Sequence, residues 1–491
     1  MKNQVMTFQK LIPVLLLCPI VCLAVEIPNG PYFGQEPPGK TPKVFAPGFI
    51  CLDNRYEYGF DFSTDGREFA FTITNSGWNY FHILYTYINE DGHWVEPYSP
   101  AFCETLHQSL YPCFSSDGQK VFVAAPIHQG PPWNSDIFVS ERTADGWTTP
   151  VNLGSPVNSS GMEYRPSITD DGVLYILSNR AGNGGDIYRF PLIDGEYSTA
   201  EKIGYPISTE HLEGSPFIAP GESYLIFESG RPGGLGLNDL YISFRRDDGS
   251  WGPAHNLGPE VNTAGIEDGG FVTDDGKYFL FCRREAYVTN IQTDIHWIDA
   301  RAVLPDPNGP IENLDTGQCF GSIQCAINYA DEGDTIVISP GVYNESIDLT
   351  GKMVFLQSVD PNDSSYIGGT IIQGSPDSPV VTLRENPETC EIAGLTIRAG
   401  LIGIAGSATN ATIRNCRIMD NTTDGMELSQ GSSLNLQHCL ITSNGQTGIT
   451  MNAGPGRSTC KPVIENCIIV DNGQADIVGG EPVIIDSIVS Q

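Results

Sequence analysis

Acidic residues recur at one fixed offset in the first half of this sequence. Eight residues before the aspartate of each Asp-Gly turn, or before its counterpart Gly221, stand Glu57, Ser109, Glu163, Glu213 and Glu267. Four carboxylates and a hydroxyl at equivalent positions have two uses. Gathered at the mouth of a channel, they would raise one another's pKa values or capture a cation. Spread between neighbouring units, each would accept backbone N–H groups and lock one unit to the next, the ordinary use of buried polar groups and the first reading here. A second set lies in "DNTTDG", where Asp420 and Asp424 fall close to Arg417, with Arg398 and Arg414 nearby. Glycoside hydrolysis needs carboxylates held across a sugar. Elimination needs a base beside an acidified proton, often with Ca²⁺. Neither constellation is complete in these residues, so solvated loop polarity is the simpler reading of them.

Other candidates carry less chemistry. The glycine-rich "ESGRPGGLGLNDLYIS" and its earlier counterpart "LSNRAGNGGDIYRF" each lead into a strand pattern, whereas a phosphate-binding loop opens a helix. They read as hairpin turns, with Arg180 and Arg231 expected to pair with Asp186 and Asp239. No CxxC occurs and the histidines do not cluster with cysteine, so no metal ligands are expected. No cofactor is expected either, and calcium, which a lyase would ask for, has no supporting residues.

The elements that must position these groups are repeats. "FDFSTDGREFAF", "CFSSDGQKVFV", "SITDDGVLYIL", "FIAPGESYLIF" and "FVTDDGKYFLF" share one turn between alternating apolar runs, recurring about every fifty residues. Each of the last four is followed by an Asp-Ile/Leu strand, at Asp136, Asp186, Asp239 and Asp294. Short strands at even spacing, with no helical periodicity between them, predict a β-propeller of five blades, with a sixth left open for residues 25–55. These motifs resemble the TolB-type, WD-repeat-like propellers over roughly residues 45–300. That resemblance implies a scaffold that binds proteins or ligands rather than a catalyst.

After the Pro/Gly/Asn-rich joint "LPDPNGPIENLD" the period changes. A short amphipathic helix over Ser322–Ala330 precedes a buried strand over Thr335–Ser339. Five segments then align on Leu395, Cys416, Cys439, Cys467 and Ser487, at spacings of 21, 23, 28 and 20 residues. About twenty residues per turn is one coil of a parallel β-helix. Asn421, Asn444 and Asn472 each follow a cysteine by five residues and are expected to stack as a ladder, while the three cysteines form a packed column. This half, 311–491, resembles the right-handed parallel β-helix of the pectate-lyase-like superfamily, with its N-terminal cap helix. That resemblance implies polysaccharide cleavage or binding, or a structural surface role. The polygalacturonase motifs are absent.

Composition sets the limits. Residues 1–24 carry Lys2 and Lys10, an apolar run and small residues at the end, the pattern of a secretory signal. No stable membrane span is expected. A net charge of −33, acidic in both halves, excludes nucleic acid as a partner. Eleven cysteines follow the leader, an odd number, and Cys319 with Cys325 is the one disulfide the spacing suggests. The final coil has no cap after Ser487, so either another strand pairs there or the reading frame is truncated.

The sequence therefore predicts an all-β chain: signal at 1–24, propeller at 25–310, then a right-handed parallel β-helix at 311–491. It would be secreted, periplasmic or on the cell surface. The function read from it is non-catalytic binding of carbohydrate or of a cell-surface protein partner. A polysaccharide lyase or glycoside hydrolase working on the β-helix face is the first alternative, and a structural surface protein the second.

Overall fold

The computed structural model describes residues 28–126, 134–144, 146–182, 184–246, 248–284, 293–452 and 458–490. The predicted signal segment lies outside the described residues.

Five blades surround a channel. Their innermost strands are Tyr56–Phe62, Leu110–Phe114, Glu163–Ile168, Glu213–Ile218 and Ile266–Val272. Each turns back at the repeated motif for a local reason. The Ser63 and Thr273 hydroxyls donate to Asp65 and Asp275, whose carboxylates also accept the N–H groups of Arg67 and Lys277. Gly66 and Gly276, at φ of 65° and 68°, then take the left-handed conformation that glycine adopts at no steric cost.

The ring is closed by residues from the far end of the propeller sequence. Lys43 and Val44 pair with Trp297 and His296, so the strand at 43–44 is the outermost strand of the fifth blade. Among the described residues, 28–55 do not begin a sixth blade. Phe45, Phe69 and Trp297 sit at 0–1% exposure behind this closure.

The second half winds three parallel sheets of nine, seven and six strands, the nine-stranded one beginning with two antiparallel strands. The asparagine ladder forms as expected. Asn421 Nδ2 donates to Asn444 Oδ1, and Asn444 Nδ2 to Asn472 Oδ1, both at 2.9 Å. Each coil turns two corners through left-handed residues, such as Asn415 and Asp420 in one coil and His438 and Ser443 in the next. Cys416, Cys439 and Cys467 stack at 1–2% exposure, their thiols directed to backbone carbonyls. In the last coil Val483, Ile484 and Ile488 are 51%, 47% and 61% exposed.

The cap helix, α1 (Ile323–Tyr329), starts at Ser322, whose hydroxyl accepts from Cys325 N. It is buried on both sides rather than on the β-helix side alone. Tyr329 stacks on His255 of the fourth blade at 5.6 Å and donates its hydroxyl to Val303 O at 2.8 Å. One apolar core therefore runs from Ile226 and Phe279 of the propeller through Ile323 and Ile327 to Ile469. The expected disulfide does not form: Cys319 and Cys325 are both free. Cys325 is turned into that shared core at 0% exposure, whereas Cys319 lies half-buried on the short strand Gln318–Phe320. A second helix, α2 (Ser364–Gly369), which no sequence pattern announced, rests against the seven-stranded sheet. No helix among the described residues is long and apolar enough to cross a membrane.

Candidate functional site in the propeller channel

Glu57, Ser109, Glu163, Glu213 and Glu267 are all fully buried, at 0% exposure. Three of them share one set of partners. Ser159, Thr209 and Thr263, each four residues upstream, donate a hydroxyl to Oε1 at 2.6 Å and a backbone N–H to Oε2 at 2.8–3.2 Å. Arg180, Arg231 and Arg283 then approach the same carboxylates at 3.3, 3.6 and 3.3 Å. Those guanidiniums also donate to carbonyls of the loop leading into the blade, among them Pro156, Ile207 and Val261. Ser109 accepts from Ile83 N of the first blade at 3.1 Å.

The expected pairs Arg180–Asp186 and Arg231–Asp239 are therefore corrected. Each arginine folds back across the aromatic rings of its own blade, Tyr188 or Tyr241, and reaches the glutamate instead. Asp186 takes Lys202 at 2.7 Å, and Asp239 accepts from Gly236 N and Asn256.

The channel wall begins two residues further along each innermost strand. There Gly59, Tyr111, Arg165, Ser215 and Gly269 all have φ between 48° and 64°. Each marks a β-bulge, where the pairing register shifts in all five blades. Left-handed backbone is cheap for glycine but costs of order 1 kcal/mol at Tyr111, Arg165 and Ser215. Bulges re-aim side chains, and these point the three residues into a cavity of about 110 Å³. Gly59 is needed for a second reason: a Cβ there would stand 2.4 Å from the Tyr111 ring.

Arg165 dominates this cavity. Its guanidinium lies 4.4 Å over the Tyr111 ring and 3.0 Å from Asp268. Burial works against its charge, but Asp268, Tyr111 and Glu228 outweigh it and hold the group charged above its ordinary value. Glu228, 8% exposed, is raised by burial; it accepts from Asn238 at 3.0 Å and from the Ser215 hydroxyl. Asp268 Oδ1 is buried with no hydrogen-bond partner. A buried acceptor left unmade costs about 1–3 kcal/mol, so the site is short of a donor.

The opposite mouth is acidic. Asp170 and Asp274 occupy the position before the turn aspartate in the third and fifth blades and line the same opening. Burial, and then Asp170, push Asp274 up to about 6, although both side chains remain wet. Asp61 is buried and raised well above the usual carboxylate range by burial; it accepts Phe114 N at 2.7 Å and ties the first blade to the second.

On the β-helix, Asp420 is exposed at a left-handed corner. Asp424 accepts Thr447 N of the next coil at 3.0 Å. Arg417 runs alongside Gly368 of α2, while Arg414 pairs with Glu391 at 2.7 Å. No hydrogen bond or ion pair among the described residues joins Asp420, Asp424 and Arg417. The channel-lining residues Tyr111, Arg165 and Ser215, and the carboxylates Asp268 and Glu228 that pair with Arg165 and Ser215, were not singled out from sequence. One signal pointed to them: Gly59 and Gly269 share their column, the mark of a position that needs positive φ.

The family described as right-handed beta helix region matches residues 363–481. No curated protein matches the sequence. Among solved structures, a TolB of Agrobacterium tumefaciens is similar at 16% identity and a TM-score of 0.35, over 50% of this chain and 77% of that one. TolB of Acinetobacter baumannii is similar at 14% identity and 0.32, over 50% and 56%. The catalytic domain of a GH62 α-L-arabinofuranosidase of Coprinopsis cinerea is similar at 9% identity and 0.35, over 53% and 97%. The chain combines a five-bladed propeller with a right-handed parallel β-helix.

Proposed function

We propose that this is an extracytoplasmic, non-catalytic binding protein that takes a carbohydrate into the propeller channel, with the β-helix as a rigid extension of the same body. The observation that carries the reading is Asp268 Oδ1, a buried acceptor without a donor, beside an arginine stacked on a tyrosine. A sugar supplies hydroxyl donors for Asp268, acceptors for Arg165 and an apolar ring face for the walls formed by Tyr111, Phe217 and Phe271. Anionic polymers fit poorly, because carboxylates outnumber Arg165 along the channel.

One observation favours a hydrolase as the second reading. Burial and the neighbouring Asp170 raise Asp274 to about 6, and a carboxyl that keeps its proton beside a second carboxylate is the arrangement of the acid in glycoside hydrolysis.

The test is a panel of polysaccharides and oligosaccharides incubated with the full chain, scoring both retention and new reducing or unsaturated ends. Retention without cleavage, weakened about tenfold or more in Asp268→Asn, is expected, since a hydrogen bond to a charged group contributes roughly 1.5–3 kcal/mol. No retention across the panel overturns the reading. New reducing ends that disappear in Asp274→Asn replace it with the hydrolase.

A further inference from the structure

The junction where the propeller ring closes departs from the other Glu-bearing junctions at each point that neutralises a buried glutamate. At Glu163, Glu213 and Glu267 a hydroxyl four residues upstream donates to the carboxylate. At Glu57 that position is Asp53, which has no hydroxyl to give. At Glu163 and Glu213 the residue paired across the blade is a serine whose hydroxyl donates to the glutamate, with the arginine two residues beyond. At Glu57 the paired residue is Ile73. Arg55, from a different direction, satisfies Oε1 at 2.5 Å, and Oε2 is left buried with no hydrogen-bond partner.

Two other ligand atoms fill the gap in the pattern. The Cys51 thiol is buried at 5% exposure, just past the closing strand at 43–44. Asp294 belongs to the strand that receives that closing strand and is the fifth-blade member of the Asp136, Asp186, Asp239 series. The Cys51 Sγ and one oxygen from each of Glu57 and Asp294 all lie within 4.8 Å of one another.

We propose that Cys51, Glu57 and Asp294 form a site for a divalent cation of the zinc class, which pins the N-terminal segment to the first and fifth blades. A thiolate with two carboxylates suits a borderline-soft ion and excludes calcium and magnesium, which take oxygen ligands alone. Metal–sulfur and metal–oxygen distances of about 2.3 and 2.0–2.2 Å require these atoms to draw together, and Glu57 Oε2 has no hydrogen bond to give up in doing so. Binding displaces the thiol proton to solvent and leaves a fourth position for water. The ion neutralises a carboxylate cluster in which Glu57 already pairs with Arg55.

Cobalt(II) titration of the chelator-treated full chain is the test, read by the thiolate-to-cobalt charge-transfer band and by metal content. One equivalent per chain with that band is expected. Loss of the band is expected in Cys51→Ser, with the band kept in Cys439→Ala. Glu57→Gln keeps the side-chain shape and its bond to Arg55, and is expected to weaken binding by more than about 100-fold, the upper end of what loss of an outer-shell partner alone costs. A wild-type chain that shows no band overturns the proposal whether or not the variants fold. A band that persists in folded Cys51→Ser does the same.

Discussion

The propeller and the β-helix solve the problem of joining repeated units with opposite chemistry. Between blades, ion pairs recur at partly buried positions: Arg142 of the second blade with Glu68 of the first, Arg189 of the third with Glu222 of the fourth, Arg165 of the third with Asp268 of the fifth. Inside the coils they are neutral and self-similar, asparagine on asparagine, cysteine on cysteine, isoleucine on isoleucine, while the pair Arg414–Glu391 lies at the partly exposed surface. The difference follows from geometry. Coils are related by translation, so each residue meets its own equivalent and like charges would stack one strand spacing apart, whereas blades are related by rotation and one face of each meets a different face of the next. A propeller junction is thereby free to carry a charge pair, and to vary it where a ligand or an ion is needed.

Removing a buried carboxylate that ties a blade to the linker before it should produce the largest effect. Glu213→Ala strands Arg231 at a buried position and deprives Thr209 and Ser229 of their acceptor. A loss of about 3–5 kcal/mol in denaturant unfolding is expected, with blades three and four losing amide-exchange protection first. Equal loss of protection along the β-helix would show that the shared core at α1 transmits the defect, and would weaken the distinction between the two regions.

The ladder offers the matching neutral test. Asn444→Ala removes the acceptor of Asn421 Nδ2 and the donor to Asn472 Oδ1, and is expected to cost about 1–3 kcal/mol, confined to neighbouring coils. Cys439→Ala, measured by the same denaturation, should cost about 1 kcal/mol, since only a small apolar volume is lost. That contrasts with Cys51, where the thiol is proposed to bind rather than to fill space.

How far each region was legible follows from the same geometry. Translation writes itself into sequence, so the cysteine column, the ladder and the coil period were all readable from spacing. In the propeller, the turns and the glutamate column were readable because they are local to a blade. The partners of Arg180 and Arg231 were not, because the alternation of a strand does not say whether a following turn folds back over its own rings. Ring closure depends on residues 43–44 meeting 296–297, a pairing with no local signal. The channel residues were hidden by bulges, which shift the register that alternation would have used. In α1 the apolar face toward the β-helix was visible, while Tyr329 and its stack on His255 belong to an interface that only the folded propeller creates.

The smallest expected effect separates the regions by pH. Asp61 crosses the first blade junction as a buried carboxyl whose pKa burial raises well above 3.8, with Asp274 adding to the shift. The folded chain thus holds this proton to a higher pH than the unfolded chain. Its stabilising contribution is complete below about pH 3.8 and falls as the pH rises toward the folded value. Asp61→Asn keeps an acceptor for Phe114 N and imitates the protonated form at every pH. The variant should match the wild type within about 0.5 kcal/mol near pH 4, and its unfolding free energy should then improve on the wild type steadily as pH rises. Parallel pH profiles for the two proteins would mean that Asp61 ionises in place without penalty.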